Sequence, residues 1–207
     1  MFLFFDLDGT LVDSGPGIKA AFRYAFTTLN LPVPQDSELD TLIGPPLERS
    51  FAFYLPEDKV EEAIGLFRSY YKEKGVYQAD PYPGIKKALQ ALKEQGHYLA
   101  ITTSKNQPMA QVMVQHFGFQ SYFQEIFGAL PDSHDKIDVL KRGLEVAEAP
   151  KEQSFIIGDT LFDMAAGRDL EIGSIGVEWG YGTSDSLTEN GAQVLLSKTQ
   201  DLASFFK

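Results

Sequence analysis

Apolar and polar positions alternate between two rhythms along this chain. Phe2, Leu3, Phe4 and Phe5 form a short apolar run that ends abruptly at Asp6 and Asp8. Such a run predicts a strand buried on both faces, carrying two carboxylates to its carboxyl end before Gly9-Thr10 turn the chain. The rhythm then becomes helical. Ile18, Ala21, Phe22, Ala25, Phe26 and Leu29 recur at helical spacing behind Pro16, a residue suited to a first turn. Short helices are predicted over 37–43 and 47–54, on either side of Gly44-Pro45-Pro46. A longer one runs from Pro56 to about Lys74 and stops at Gly75. Residues from about 15 to about 80 therefore read as helical throughout.

Pro81-Tyr82-Pro83-Gly84 is a rigid stop, and beyond it strand and helix patterns take turns. Helices are predicted over 85–95, 108–117, from His134 or Asp135 to Ala147, and over 161–170 and 199–206. Strands fall at 98–103, 126–129, 154–157, 174–177 and 192–196. Strands separated by helices predict an α/β fold, a doubly wound parallel-sheet (Rossmann-like) core covered on both faces. The expected organisation is a core made of 1–14 and 81–207, with an inserted α-helical cap domain at 15–80.

Composition narrows the classes of function. With 43% hydrophobic and 23% charged residues, the chain reads as an ordinary soluble globular protein. No apolar stretch approaches the roughly 18 residues of a membrane span, and the N-terminus has no basic segment ahead of its apolar run. A cytoplasmic protein with no membrane partner is expected. The absence of cysteine excludes disulfides, thiolate metal sites and cysteine nucleophiles. Eighteen basic against 29 acidic residues give a net charge of −11 with no basic cluster, so no nucleic-acid partner is expected. A small anionic substrate is compatible with that charge only where a metal and a few cations converge.

In open parallel sheets, ligands bind beyond the carboxyl ends of the strands. The first strand ends in Asp6-Leu7-Asp8, the second in Thr103-Ser104-Lys105, and a later one in Gly158-Asp159. Asp163 follows Asp159 by four residues, one helical turn on and on the same face. Lys136 lies near the start of a helix that faces the same rim. Clustered carboxylates repel one another unless a hard divalent cation neutralises them, and oxygen ligands suit Mg²⁺. One carboxylate can attack phosphorus to form an aspartyl-phosphate. A second, two residues on, can protonate the leaving oxygen and later activate water. Hydroxyls, backbone N–H groups and a lysine would hold the phosphoryl oxygens.

The ordered set Asp6-Leu7-Asp8-Gly9-Thr10, Thr103, Lys136 and Gly158-Asp159-x-x-x-Asp163 resembles the haloacid dehalogenase superfamily. Within it, the nearest resemblance is to phosphatases with a helical cap after the first strand, such as phosphoglycolate phosphatases. The resemblance implies that Asp6 is the nucleophile and a Mg²⁺ ligand, and Asp8 the general acid/base with its backbone carbonyl on the metal. It implies that Thr103 binds the phosphoryl group, assisted by the Ser104 amide, and that Lys136 neutralises nucleophile and phosphate. Asp159 would ligate Mg²⁺, with Asp163 supporting it through water. Two positions depart from the pattern: Ser104 stands where many such phosphatases carry Asn, and Ile137 follows Lys136 where Pro is frequent.

The implied activity is that of a phosphoric monoester hydrolase acting on a small phosphorylated metabolite, as monomer or homodimer. Two alternatives stand beside it: a sugar phosphomutase of the same fold, and a signalling module phosphorylated on aspartate. Bland readings apply elsewhere. Lys105 reads as a helper or surface charge, Lys141 as a helix lysine, and Asp13 and Ser14 as a hinge. His97, His116 and His134 lack ligand spacing, and the aromatic residues Phe22, Tyr24, Phe26, Phe51, Phe53 and Tyr54 read as helix packing. Arg49 is a candidate cap contact to substrate, and Trp179 with Tyr181 reads as an ordered rim loop.

Overall fold

The computed structural model describes every residue except Asp132 and His134. Its strands are β1 (Phe2–Phe5), β2 (Val12–Asp13), β3 (Asp80–Pro81), β4 (Tyr98–Asn106), β5 (Glu125–Ala129), β6 (Ser154–Gly158), β7 (Gly173–Val177) and β8 (Val194–Leu196). The helices are α1 (Gly15–Thr28), α2 (Asp36–Asp40), α3 (Leu47–Ala52), α4 (Glu57–Glu73), α5 (Ile85–Glu94), α6 (Gln107–His116), α7 (Lys136–Val146), α8 (Leu161–Asp169), α9 (Ser184–Glu189) and α10 (Asp201–Phe205). Contacts divide the chain into two units, Met1–Asp13 with Asp80–Lys207, and Ser14–Ala79.

The larger unit is the expected α/β fold. Its six-stranded sheet has the order β5-β4-β1-β6-β7-β8, and every pairing within it is parallel. β1 lies in the middle, with Phe5 opposite Ile101 on one side and Ile157 on the other. The chain builds outward from β1 through β4 to β5, then returns to build β6, β7 and β8 on the other side. β1 and β6 therefore flank the point where strand order reverses, the place such sheets reserve for ligands. Side chains alternate across the sheet. Phe4 packs in one cluster with its register neighbours Ala100 and Ile156, Val139 and Leu140 of α7 and Ala166 of α8. Leu3 and Phe5 are fully buried on the opposite face. A strand buried on both sides cannot carry polar residues until it ends, which is why Asp6 is the first.

The smaller unit is helical. α1 packs on α4 through Phe22, whose ring lies 4.8 Å from that of Phe67 and 5.0 Å from that of Phe51 on α3. Phe22, Phe26 and Phe51 are core packing, as read from the sequence, but Tyr24 and Phe53, read the same way, are exposed because they lie on the outward faces of their helical segments.

Several elements lie outside what periodicity predicts. β2 and β3 are a two-residue antiparallel pair, Val12 opposite Pro81 and Asp13 opposite Asp80, too short to show a pattern. β4 continues past Thr103 to Asn106, with its register to β5 broken between Thr102 and Asn106. α9 is mostly polar and starts from a local signal, the Thr183 hydroxyl accepting the Ser186 amide. α7 begins at Lys136 with Asp135 as its N-cap; the expectation for His134 lies outside the described residues.

Candidate active site

Asp6 leaves β1 at its carboxyl end, held by its own amide donating to the Ile157 carbonyl at 2.9 Å. Asp159 follows β6 directly, and Asp163 sits in the first turn of α8. All three are buried, and one carboxylate oxygen of each lies within 4.8 Å of those of the other two. Lys136, the first residue of α7, reaches into this group. Its ammonium is 2.6 Å from Asp6 Oδ1 and 2.8 Å from Asp163 Oδ1, and it donates to the Thr102 carbonyl at 3.0 Å.

Each acid is oriented by a second set of contacts. Asp163 Oδ2 accepts the Thr160 amide at 3.0 Å and the Thr160 hydroxyl at 2.7 Å, so α8 is capped by a residue that also serves the site. Asp159 Oδ1 accepts the Thr10 hydroxyl and Oδ2 the Tyr181 amide, both at 2.9 Å. Asp8 Oδ2 pairs with Lys105 at 3.0 Å, while its Oδ1 is buried with no hydrogen-bond donor among the described residues. Gly9, at φ +80°, has no room for a side chain, since a Cβ there would lie 2.1 Å from Asp159 Oδ2.

The electrostatics follow from burial. Desolvation pushes the Asp6 carboxyl up to about 6, Lys136 opposing it and the charges of Asp163 and Asp8 adding to it. Asp159 is raised well above the usual carboxylate range, first by burial and then by Asp6 and Asp163. Burial disfavours the Lys136 ammonium, but Asp163 and Asp6 more than offset this and hold its pKa above the ordinary lysine value. Three buried carboxylates with one ammonium are short of positive charge. A hard divalent cation held by oxygens would supply it, so the donor set fits Mg²⁺.

The site thus gathers Asp6, Asp159, Asp163 and Lys136 directly, with Asp8 beside Lys105. Thr103 is buried at the end of the shared strand edge, its hydroxyl accepting the Lys105 amide at 3.2 Å, and Ser104 is exposed after it. Arg49 lies in the helical unit, exposed on α3. Of the two sequence readings of Lys105, the pairing with Asp8 favours the helper. The sequence reading assigns Thr10 and Thr160 no contact to the acids, and takes the segment after β7 only as an ordered rim loop. Thr160 carried a readable signal, the capping-box spacing to Asp163. The contacts of Trp179 and Tyr181 carried none, because they join residues 22 to 169 positions apart.

The family model described as haloacid dehalogenase-like hydrolase matches residues 3–177. Among curated proteins, a tyrosine-protein kinase of Mycobacterium tuberculosis is 33% identical over 193 residues, covering 92% of this chain but only 66% of its own length. A 5'-nucleotidase of Pseudomonas aeruginosa is 31% identical over 189 residues, 89% of this chain and 86% of its own. Among solved structures, a haloacid dehalogenase-like family hydrolase from Streptococcus pneumoniae superposes with a TM-score of 0.95 at 38% identity, over 99% of this chain and 97% of that one. The match runs from β1 to the end of β7 and takes in the helical insertion and every acid of the site, so the chain belongs to the haloacid dehalogenase-like hydrolase family.

Proposed function

We propose that this chain is a Mg²⁺-dependent phosphatase that hydrolyses a small soluble phosphate monoester through an aspartyl-phosphate on Asp6. The observation that carries the reading is the Lys136 ammonium bridging Asp6 and Asp163 beside Asp159, at the strand-order reversal of the sheet. Asp6, Asp159, Asp163 and the Asp8 backbone would hold the ion, whose role when bound is to neutralise charge on the carboxylates and the phosphoryl oxygens.

The side chains account for both halves of the reaction. An Asp6 oxygen attacks phosphorus as the bond from phosphorus to the ester oxygen breaks, and the Asp8 carboxyl gives that oxygen its proton. Asp8, now a carboxylate, takes a proton from water as the water oxygen attacks the same phosphorus. The bond to Asp6 then breaks and inorganic phosphate leaves. Lys105 fixes where the Asp8 carboxyl points. Lys136, the Thr103 hydroxyl and the Ser104 amide are assigned to the phosphoryl oxygens, where donors count most. The helical unit is assigned the role of cap, with Arg49 as its substrate contact; an Arg49→Ala variant with raised KM and unchanged kcat would bear this out.

The test is phosphate release from an aryl phosphate and from a panel of phosphorylated metabolites. Asp6→Asn should abolish it, and chelation should stop the wild type until Mg²⁺ is returned. Turnover that survives both treatments would overturn the proposal. Following the label on the product separates hydrolysis from transfer to an acceptor, the reaction named for the mycobacterial relative.

A further inference from the structure

We infer that Trp179 is a positioning residue for the carboxylate of Asp159 and that its fluorescence reports cation occupancy at that carboxylate; the inference rests on the metal centre proposed above. Trp179 is the chain's single tryptophan.

After β7 the backbone turns back across Asp159. The Tyr181 amide donates to Asp159 Oδ2 at 2.9 Å, and the Gly182 amide donates to the Asp159 carbonyl at 3.1 Å. Gly180 fits so closely that a Cβ there would stand 2.2 Å from Asp159 Cβ. The segment is tied down at both sides. Glu178 donates its amide to Leu196 of β8 at 3.0 Å, and the Tyr181 hydroxyl donates to Asp13 Oδ1 at 2.9 Å.

Trp179 completes the clamp from the other side of the carboxylate. Its indole N–H donates to the Thr10 carbonyl at 3.1 Å, and the Thr10 hydroxyl donates to Asp159 Oδ1 at 2.9 Å. Each oxygen of Asp159 thus receives one donor, from residues 149 and 22 positions away in sequence. Two donors on opposite oxygens fix the plane of a carboxylate and leave its other lone pairs for a cation. A ligand held this way gives up little freedom when the ion arrives, the usual work of groups one step behind a metal ligand. The indole acts through Thr10: it locks the backbone that presents the hydroxyl. Because the path from ion to indole runs through two hydrogen bonds, neutralising Asp159 alters the indole's surroundings.

The test uses the full chain and Mg²⁺ without substrate. Affinity is measured by calorimetry for wild type, Thr10→Val, Trp179→Phe and the double variant, with thermal unfolding recorded in chelator. Thr10→Val should weaken Mg²⁺ binding roughly 10- to 100-fold, in line with losing a group that orients a metal ligand. Trp179→Phe keeps the aromatic ring and loses the donor; it should weaken binding about three- to ten-fold. The double variant should bind about as Thr10→Val does, because both changes act along one path. Wild-type emission should titrate with the calorimetric half-saturation.

A Trp179→Phe protein that binds Mg²⁺ as wild type does, whatever its unfolding temperature, overturns the positioning role. Fully multiplicative losses in the double variant overturn the path through Thr10. Emission that stays flat to saturation overturns the reporter, a result that needs no variant to fold. A wild type that takes up no Mg²⁺ overturns the metal centre itself, and calorimetry shows that failure separately from the others.

Discussion

Lys136→Met isolates the energetic centre of the site, because methionine fills similar space without charge. In wild type the ammonium is buried and touches Asp6 Oδ1 at 2.6 Å, Asp163 Oδ1 at 2.8 Å and the Thr102 carbonyl at 3.0 Å. Removing it strands two buried carboxylates, a change that typically costs about 3–5 kcal/mol. Protonation limits the damage. Asp6 already sits near 6 with the lysine present, and without it burial and the Asp163 charge act unopposed, so its pKa climbs further. The cost should therefore be largest near pH 8 in chelator, and should shrink by about 1.4 kcal/mol per pH unit once Asp6 begins to take up a proton. The assay is urea unfolding followed by circular dichroism between pH 5 and 8. Adding Asp163→Asn to Lys136→Met removes one stranded charge, so the double variant should be no less stable than the single one. A loss under about 1 kcal/mol at pH 8, or one that does not change with pH, would refute the reasoning.

The metal-free wild type should itself lose stability as pH rises. Asp6 is raised from 3.8 to about 6, so the folded chain binds this proton more tightly than the unfolded one, and about 3 kcal/mol disappears between pH 4 and 6. Unfolding temperatures with and without Mg²⁺ check this, and Asp6→Asn should flatten the slope. Gly180→Ala should abolish Mg²⁺ uptake measured by calorimetry, since its Cβ would lie 2.5 Å from Asp159 Oδ2. In the helical unit, Gly17→Ala sets a helix-propensity gain of about 1 kcal/mol against a Cβ placed 2.0 Å from the Gly75 carbonyl oxygen. The clash wins, and urea unfolding should show a net loss of about 1–3 kcal/mol.

What could be read from sequence was whatever is encoded locally. The run Phe2–Phe5 meets Asp6 where the strand ends, so strand and acid declare each other within five residues. The helical spacing of Phe22 and Phe26 gave α1 the same directness. The two-residue pair β2–β3 has no periodicity to read, and β4 outruns its predicted end because its last residues follow a broken register. Site contacts divide along the same line. Asp159 and Asp163 are four residues apart, although not one helical turn as expected, because Asp159 precedes the extended cap Thr160 and α8 starts at Leu161. The donors on Asp159, from Thr10 and Tyr181, come together only when β6 lies between β1 and β7.

The charge of the site bears on how a chain of net charge −11 would accept the phosphate ester proposed for it. Asp6, Asp8, Asp159 and Asp163 bring four negative charges, and Lys105 and Lys136 return two. With all four carboxylates ionised and no cation the site would carry a surplus of two, and burial, by holding Asp6 and Asp159 above their ordinary range, favours proton uptake that relieves part of it. A phosphate dianion brought there would meet repulsion that two lysines cannot overcome, because both are already engaged with carboxylates. On the proposed function, one divalent ion would cancel the surplus and let Asp6 ionise, the state a nucleophile requires. On that same proposal, the cation would bind before the anion, which would then enter a site made locally neutral.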